Sequence, residues 1–259
     1  MTGRGWQCID TGEADGAANM AVDESLALAL AAGTGRPTLR LFRWKPWAVS
    51  LGYNQDAGTL DRERCAADGI DVVRRPTGGR AILHAQELTY SVTMRAERKG
   101  VLQVYNEISD ALVRGLAHYG VTVTLQKSQP DFAEAYRNPS SIPCFSSSAR
   151  YEIEWEGRKL VGSAQRRFAG EACDVVLQHG SILCGPAHAR LAEYLSVADP
   201  DVLQRIRSSL NEQTTHLAAV SGRAVDLPRL TDCIRRGFED AWGIAFAPAT
   251  YEGLHAQLS

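Results

Sequence analysis

Apolar and polar residues alternate along several short runs of this chain and recur at helical spacing along others. Thr38 to Trp44 (T-L-R-L-F-R-W) and Leu88 to Met94 (L-T-Y-S-V-T-M) alternate with the period of half-buried strands. Ala48 to Gly52, Ile70 to Val73, Val121 to Leu125 and Val175 to Leu183 read as further strands. Tyr151 to Trp155 and Arg158 to Ala164 read as a hairpin around Glu156-Gly157. Val104, Ile108, Leu112 and Leu116 lie on one helical face, which predicts a helix to Tyr119. Asn19 to Ala32 is rich in alanine and leucine and predicts another, ended by Gly33-Thr34-Gly35. Leu60 to Asp68 reads as a short helix. Gln126 to Ser141 reads as irregular, with Pro130 and Pro139 breaking any long helix. From Ala187 onward the pattern is mainly helical, with Pro200 and Pro228 as breakers.

Strands and helices are thus mixed and hairpins are frequent. The expected class is α+β: mixed, partly antiparallel sheets flanked by helices, with a mostly helical C-terminal tail. The expected organisation is a core over 1–186 and a helical segment over 187–259 on the same domain.

Composition narrows the function classes. A chain of 259 residues, 44% hydrophobic and 22% charged, suits a soluble protein with a sizeable core. A formal net charge of −2 argues against bulk nucleic-acid binding. Met1 to Asp10 lacks the pattern of a signal peptide, and Leu26 to Ala32 is too short to span a bilayer. A cytoplasmic protein that avoids membranes is expected. Cys8, Cys65, Cys144, Cys173, Cys184 and Cys233 are scattered, with no C-x-x-C pair, so no metal site is expected.

Candidate chemistry centres on Arg74 to His84, R-R-P-T-G-G-R-A-I-L-H. Gly78 and Gly79 allow a sharp turn with bare N–H groups near a ligand, and Thr77 precedes them. Arg74, Arg75, Arg80 and His84 flank it, so the segment suits an acyl group on a phosphorylated handle; a plain β-turn with solvated arginines fits equally. Cys144 sits in the small polar run S-S-I-P-C-F-S-S-S, as a nucleophile or a buried inert thiol. A nucleophilic thiol needs a nearby cation to lower its pKa. Lys159, fifteen positions later on the hairpin, is the candidate; a solvated strand lysine is the alternative. Gly162-Ser163-Ala164-Gln165 permits close approach of a ligand or of another backbone. His179-Gly180 lies inside an apolar strand, where the histidine lines a pocket, donates to a carbonyl or is structural. Trp44 and Trp47 wall an apolar slot or pack in the core. Asp23 and Glu24 read as surface or cap charges.

These segments together resemble the biotin/lipoate protein ligase and transferase superfamily. The resemblance rests on A-N-M-A-V-D-E-S-L, R-R-P-T-G-G-R-A-I-L-H, E-L-T-Y-S-V, P-C-F, G-R-K-L-V-G-S-A-Q and L-Q-H-G-S-I-L, in order from about residue 15 to 185. Within the superfamily the chain looks most like octanoyltransferases of the LipM type, which carry a cysteine fifteen residues before the lysine of G-R-K. The resemblance implies that Cys144 forms an acyl-thioester and that Lys159 lowers its pKa. It implies that Thr77 to His84, Ser163 to Gln165 and His179-Gly180 line the acyl pocket. It implies octanoyl-acyl carrier protein as donor, and the glycine cleavage H protein and lipoyl domains of 2-oxoacid dehydrogenases as acceptors, with no cofactor. An ATP-dependent lipoate–protein ligase, an amidotransferase between carrier proteins and a non-catalytic acyl- or biotin-binding module are the alternatives. Two departures stand out: Gly79-Arg80 replaces the third glycine of many ligases, and Ala85 replaces the acidic residue that relatives often carry after the histidine.

Overall fold

The computed structural model describes residues 5–125, 152–170 and 172–247. A seven-stranded sheet forms the centre, with strand order β1-β2-β6-β10-β9-β8-β7. Its strands are β1 (Gln7–Ala14), β2 (Thr38–Trp44), β6 (Glu87–Arg95), β7 (Thr124–Leu125), β8 (Ile153–Trp155), β9 (Arg158–Phe168) and β10 (Val175–Leu183). β1 and β2 are parallel; the other neighbours are antiparallel. A second sheet, ordered β4-β3-β5, holds β3 (Ala48–Leu51), β4 (Asp71–Arg74) and β5 (Ile82–His84). The mixed architecture is the one the patterning predicts.

The two faces of the large sheet are covered differently. Helix α3 (Val101–Tyr119) and the last described helix, α6 (Leu227–Trp242), pack on one face. There Leu41, Leu88, Tyr90 and Val92 meet Ile108, Leu112, Ile234 and Phe238 in the main core. Helix α1 (Gly16–Ala31) covers the opposite face, packing against β6 and β10. It starts where the Asp15 carboxylate accepts from Ala18 N at 2.7 Å, an N-cap that meets one orphan donor. Helix α2 (Arg62–Ala67), the 3-10 segment Pro186–Tyr194 and α4 (Pro200–Gln213) surround the small sheet. Leu191, Tyr194, Ile206 and Leu210 join Val49, Leu51 and Leu83 in a second core. The short helix α5 (Leu217–Ser221) adds Leu217 to the main core. The helical tail therefore shares both cores with the strands.

Several sequence expectations change. β2 is buried on both faces, not half-buried: Arg40 is 1% exposed because α1 roofs the side it faces. Pro200 and Pro228 do not break helices. Each lies in the first turn of one, where a missing N–H costs nothing. β1 was not legible, since Q-C-I-D-T-G-E-A lacks alternation and carries a register shift between Asp10 and Glu13. Of Val121 to Leu125 only the last two residues pair as a strand. The hairpin turn is as expected, with Glu156 and Gly157 at φ 48° and 73°. The expected irregular run Gln126 to Ser141 lies outside the described residues. Among the described residues no helix is long and apolar enough to cross a membrane.

Candidate functional site

A narrow slot lies between the two sheets under α1. Met20 of α1, Trp44 of β2, Ile82 and His84 of β5, and Thr89 of β6 form part of its wall. Gly162 to Ala164 of β9, His179 to Ser181 of β10, and Arg75 complete it. Met20 and Arg75 also border a wider open cleft with Tyr53, Arg74, Pro76 and Arg166, so the two spaces adjoin. Close approach of strands shapes the floor. A Cβ on Gly180 would lie 2.4 Å from Gly162 O and 2.8 Å from the Tyr90 ring, so only glycine fits.

Two buried carboxylates organise the polar wall. Asp23 is fully buried on the underside of α1, which corrects its reading as a surface or cap charge; Glu24 is exposed. Asp23 accepts from Arg40 Nη1 at 2.8 Å, Ser91 Oγ at 2.7 Å and His179 Nδ1 at 3.1 Å. The other ring nitrogen of His179, Nε2, lies 2.5 Å from Thr77 Oγ1. Burial alone would raise the Asp23 carboxyl, but Arg40, His179 and Ser91 outweigh it and hold it below the usual range. Burial pushes His179 down, against Asp23 and with Arg75 and His84, so its imidazole is neutral. With Nδ1–H donated to Asp23, Nε2 accepts the Thr77 hydroxyl. Both ring nitrogens are engaged within the wall, and the ring presents its face and edges to the slot.

The second carboxylate is Glu87. It accepts from His84 Nδ1 and Ser181 Oγ, both at 2.8 Å, and from Thr89 Oγ1 at 2.6 Å. His84 Nε2 lies 2.7 Å from Ser50 Oγ, which accepts from Arg75 Nη1 at 3.0 Å. The line of contacts runs from Arg75 through Ser50 and His84 to Glu87. Burial would raise the Glu87 carboxyl; His84, Thr89 and Ser181 bring it below its ordinary value. The carboxylate beside His84, missing at position 85, thus arrives from two positions further on.

The glycine loop is held from within. Gly79 sits at φ +93°, and a Cβ on Gly52 would meet Gly79 O at 1.9 Å. Arg75, 2% exposed, donates to Gly78 O at 2.8 Å and Arg80 O at 2.7 Å. Arg74 donates to the carbonyls of Gly52, Tyr53 and Gln55 at 2.7–2.9 Å. Both arginines therefore brace the loops: Arg75 is buried, whereas Arg74 stays exposed while its guanidinium donates to the three carbonyls. Arg166 stacks over the Tyr53 ring at 4.5 Å and donates to Pro76 O at 3.2 Å.

Of the residues singled out in the sequence, Arg75, His84, Gly162, Ser163, Ala164, His179 and Gly180 meet on the slot, with Trp44. Thr77 stands behind His179, and Arg74 borders the outer cleft. Gly78, Gly79 and Arg80 shape the loop. Gln165 turns away and donates to Gln178 Oε1 at 3.0 Å. Lys159 is 4% exposed and donates to the equally buried Glu152, so it is not a solvated lysine. Cys144 lies outside the described residues. Burial pushes the thiols of Cys8 and Cys184 up to about 12 and raises those of Cys65 and Cys233, so none of these four is activated. Among the described residues no cluster of three His, Cys, Asp or Glu is arranged to hold a metal ion.

Comparison with known proteins gives the family and the fold. The family model for the lipoyl protein ligase A/B catalytic domain matches residues 15–239. Octanoyltransferase LipM of Kyrpidia tusciae is 40% identical over 248 residues, covering 94% of this chain and 89% of its own length. The protein of the same name from Symbiobacterium thermophilum is 39% identical over 246 residues, 94% of this chain and 88% of its own. Among solved structures, a bi-partite lipoate protein ligase from Thermoplasma acidophilum matches with a TM-score of 0.76 at 21% identity, covering 98% of this chain and 90% of that one. A lipoate-protein ligase A bound with ATP matches at 0.73 and 19% identity, covering 98% and 92%. At such identities these structures establish the fold. With a family model spanning both cores and full-length relatives well above 30% identity, the chain belongs to the lipoyl protein ligase A/B catalytic domain family, in its octanoyltransferase LipM branch.

Proposed function

We propose that this chain moves an octanoyl group from octanoyl-acyl carrier protein to a lysine of a lipoyl-accepting protein, through a thioester on Cys144. The observation that carries the reading is the slot: its apolar residues and inward-turned polar groups suit an alkyl chain. Thiolate of Cys144 attacks the donor carbonyl, the carrier leaves as its thiolate, and the acyl group rests on sulfur. The neutral amine of the acceptor lysine then attacks, the Cys144 sulfur leaves and takes up the proton the amine releases, and an amide forms. Lys159 supplies the positive charge that favours thiolate, and Glu152 holds that ammonium in place. With both nitrogens of His179 engaged, backbone N–H groups of the glycine loop are the better candidates to receive the oxyanion. Neither ATP nor a metal enters this sequence of steps. The glycine cleavage H protein and lipoyl domains of 2-oxoacid dehydrogenases are the proposed acceptors, in the cytoplasm.

Intact-mass spectrometry after incubation with octanoyl-acyl carrier protein, without ATP, tests the reading. The expected result is a gain of one octanoyl group, labile to neutral hydroxylamine and absent in Cys144→Ser. An unmodified wild type that acylates an acceptor only with ATP and free acid would make it a ligase. One that accepts acyl groups only from another lipoyl-type carrier would make it an amidotransferase.

A further inference from the structure

One carboxylate oxygen holds a whole wall of the slot. Glu87 Oε1 accepts from Thr89, Ser181 and His84. Thr89 Oγ1 in turn accepts from the Trp44 indole Nε1 at 2.8 Å. His84 lies flat on the same indole, ring centroids 4.0 Å apart and planes within 11°. Trp44 is therefore fixed twice from one atom, along its N–H edge through Thr89 and across its face through His84. Trp44, His84, Thr89 and Ser181 all line the slot, whereas Glu87, 4% exposed, sits behind them.

We propose that Glu87 is the positioning residue that sets which acyl chain lengths the slot admits, by holding the Trp44–His84 wall against retreat. The proposal rests on the acyl-slot reading above. An alkyl chain offers no polar handle, so a slot tells one length from another only by the resistance of its walls. A pocket wall discriminates about 10- to 200-fold per methylene when rigid. Bonds to a carboxylate are about twice as strong as neutral ones, so this wall is stiffer than packing alone would make it. Sequence position hides the role, because Glu87 touches no part of the slot and opens the strand that carries Thr89.

The test compares wild type, Glu87→Gln and Thr89→Val on hexanoyl-, octanoyl-, decanoyl- and dodecanoyl-acyl carrier protein, reading acyl-enzyme formation by intact mass. Glutamine keeps an acceptor oxygen for the three donors and removes the charge. Valine, close in size to threonine, cuts the link from Trp44 to Glu87 and replaces one hydroxyl of the lining with a methyl. The expected result is a preference for octanoyl over dodecanoyl that narrows about tenfold in Glu87→Gln, the weight of roughly one hydrogen bond, and also narrows in Thr89→Val. Rates that fall in proportion for every length, with the ratio unmoved, would overturn the proposal. If Glu87→Gln does not fold, Thr89→Val decides by the same ratio. If wild type takes no acyl group from any carrier, the transfer reading fails separately, and calorimetric binding of the free acids of the same lengths still reports the ratio.

Discussion

Replacing Asp23 by asparagine removes one negative charge from a site with no exposure and leaves nearly the same shape. Arg40, 1% exposed, keeps its bonds to Asn19 O, Asn19 Oδ1 and Thr11 Oγ1, but loses its countercharge. Removing one partner of a buried ion pair costs about 3–5 kcal/mol, because the survivor stays charged and dry. In a domain of this size each kcal/mol shifts Tm by about 2–4 °C, so a fall of roughly 10 °C is expected. Urea unfolding followed by circular dichroism measures the free energy. Two controls sharpen the test. The Asp23→Leu/Arg40→Met double variant should lose less than Asp23→Asn, since no charge is stranded. The pH dependence has a fixed sign. A carboxyl held below its unfolded value near 4 stabilises fully above that value, and the contribution fades as pH falls through the folded one. The gap between wild type and variant should therefore close on acidification. A loss under about 1 kcal/mol at pH 7, or a gap that widens in acid, would refute this account of the wall.

Two further outcomes follow from particular atoms. Gly180→Ala places a methyl 2.4 Å from Gly162 O, backbone that cannot swing aside, so a loss of about 1–3 kcal/mol is expected in denaturant; a wild-type midpoint would sink the close-approach argument. His188, buried beside Thr214, is pushed by burial down to about 4, so between pH 6.5 and 4 the unfolded chain binds a proton that the folded one does not. Stability should fall by about 3 kcal/mol across that window, and His188→Gln should flatten the fall; an unchanged slope in the variant would assign it to other groups.

The strands and helices with one dominant pattern were legible: β2, β6, β10, α3 and the Glu156-Gly157 hairpin fall where alternation and spacing place them. What the pattern could not say is which side of a strand faces water. T-L-R-L-F-R-W alternates whether its polar face is wet or roofed, and the roof is α1, whose contribution is Asp23, seventeen residues before Arg40. Asp23 was misread for the same reason, since nothing local marks a partner on another element. Charge along the glycine loop was visible, but its use was not. Arg74 and Arg75 bind carbonyls of segments that only the fold brings near. Spacing found Lys159 without showing that Glu152 holds it.

These misreadings share a cause that bears on the activity. A slot for an alkyl chain cannot leave donors or charges facing it, because each would lose its water when the chain entered and gain nothing in return. Yet a sheet roofed by one helix has a second face to fill, and a loop with bare N–H groups must be braced. This chain meets both needs with the same residues. Arg40 and Arg75 carry the positive charge, Asp23 and Glu87 balance it, and His179 and His84 connect them to the hydroxyls of Thr77 and Ser50. The polar groups named there bond to one another, leaving mainly carbon and ring faces toward the slot. Polar residues in alternating strands of this kind therefore mark the lining of an apolar site, and the test of that rule is whether breaking one such bond changes what the slot selects more than how fast it works.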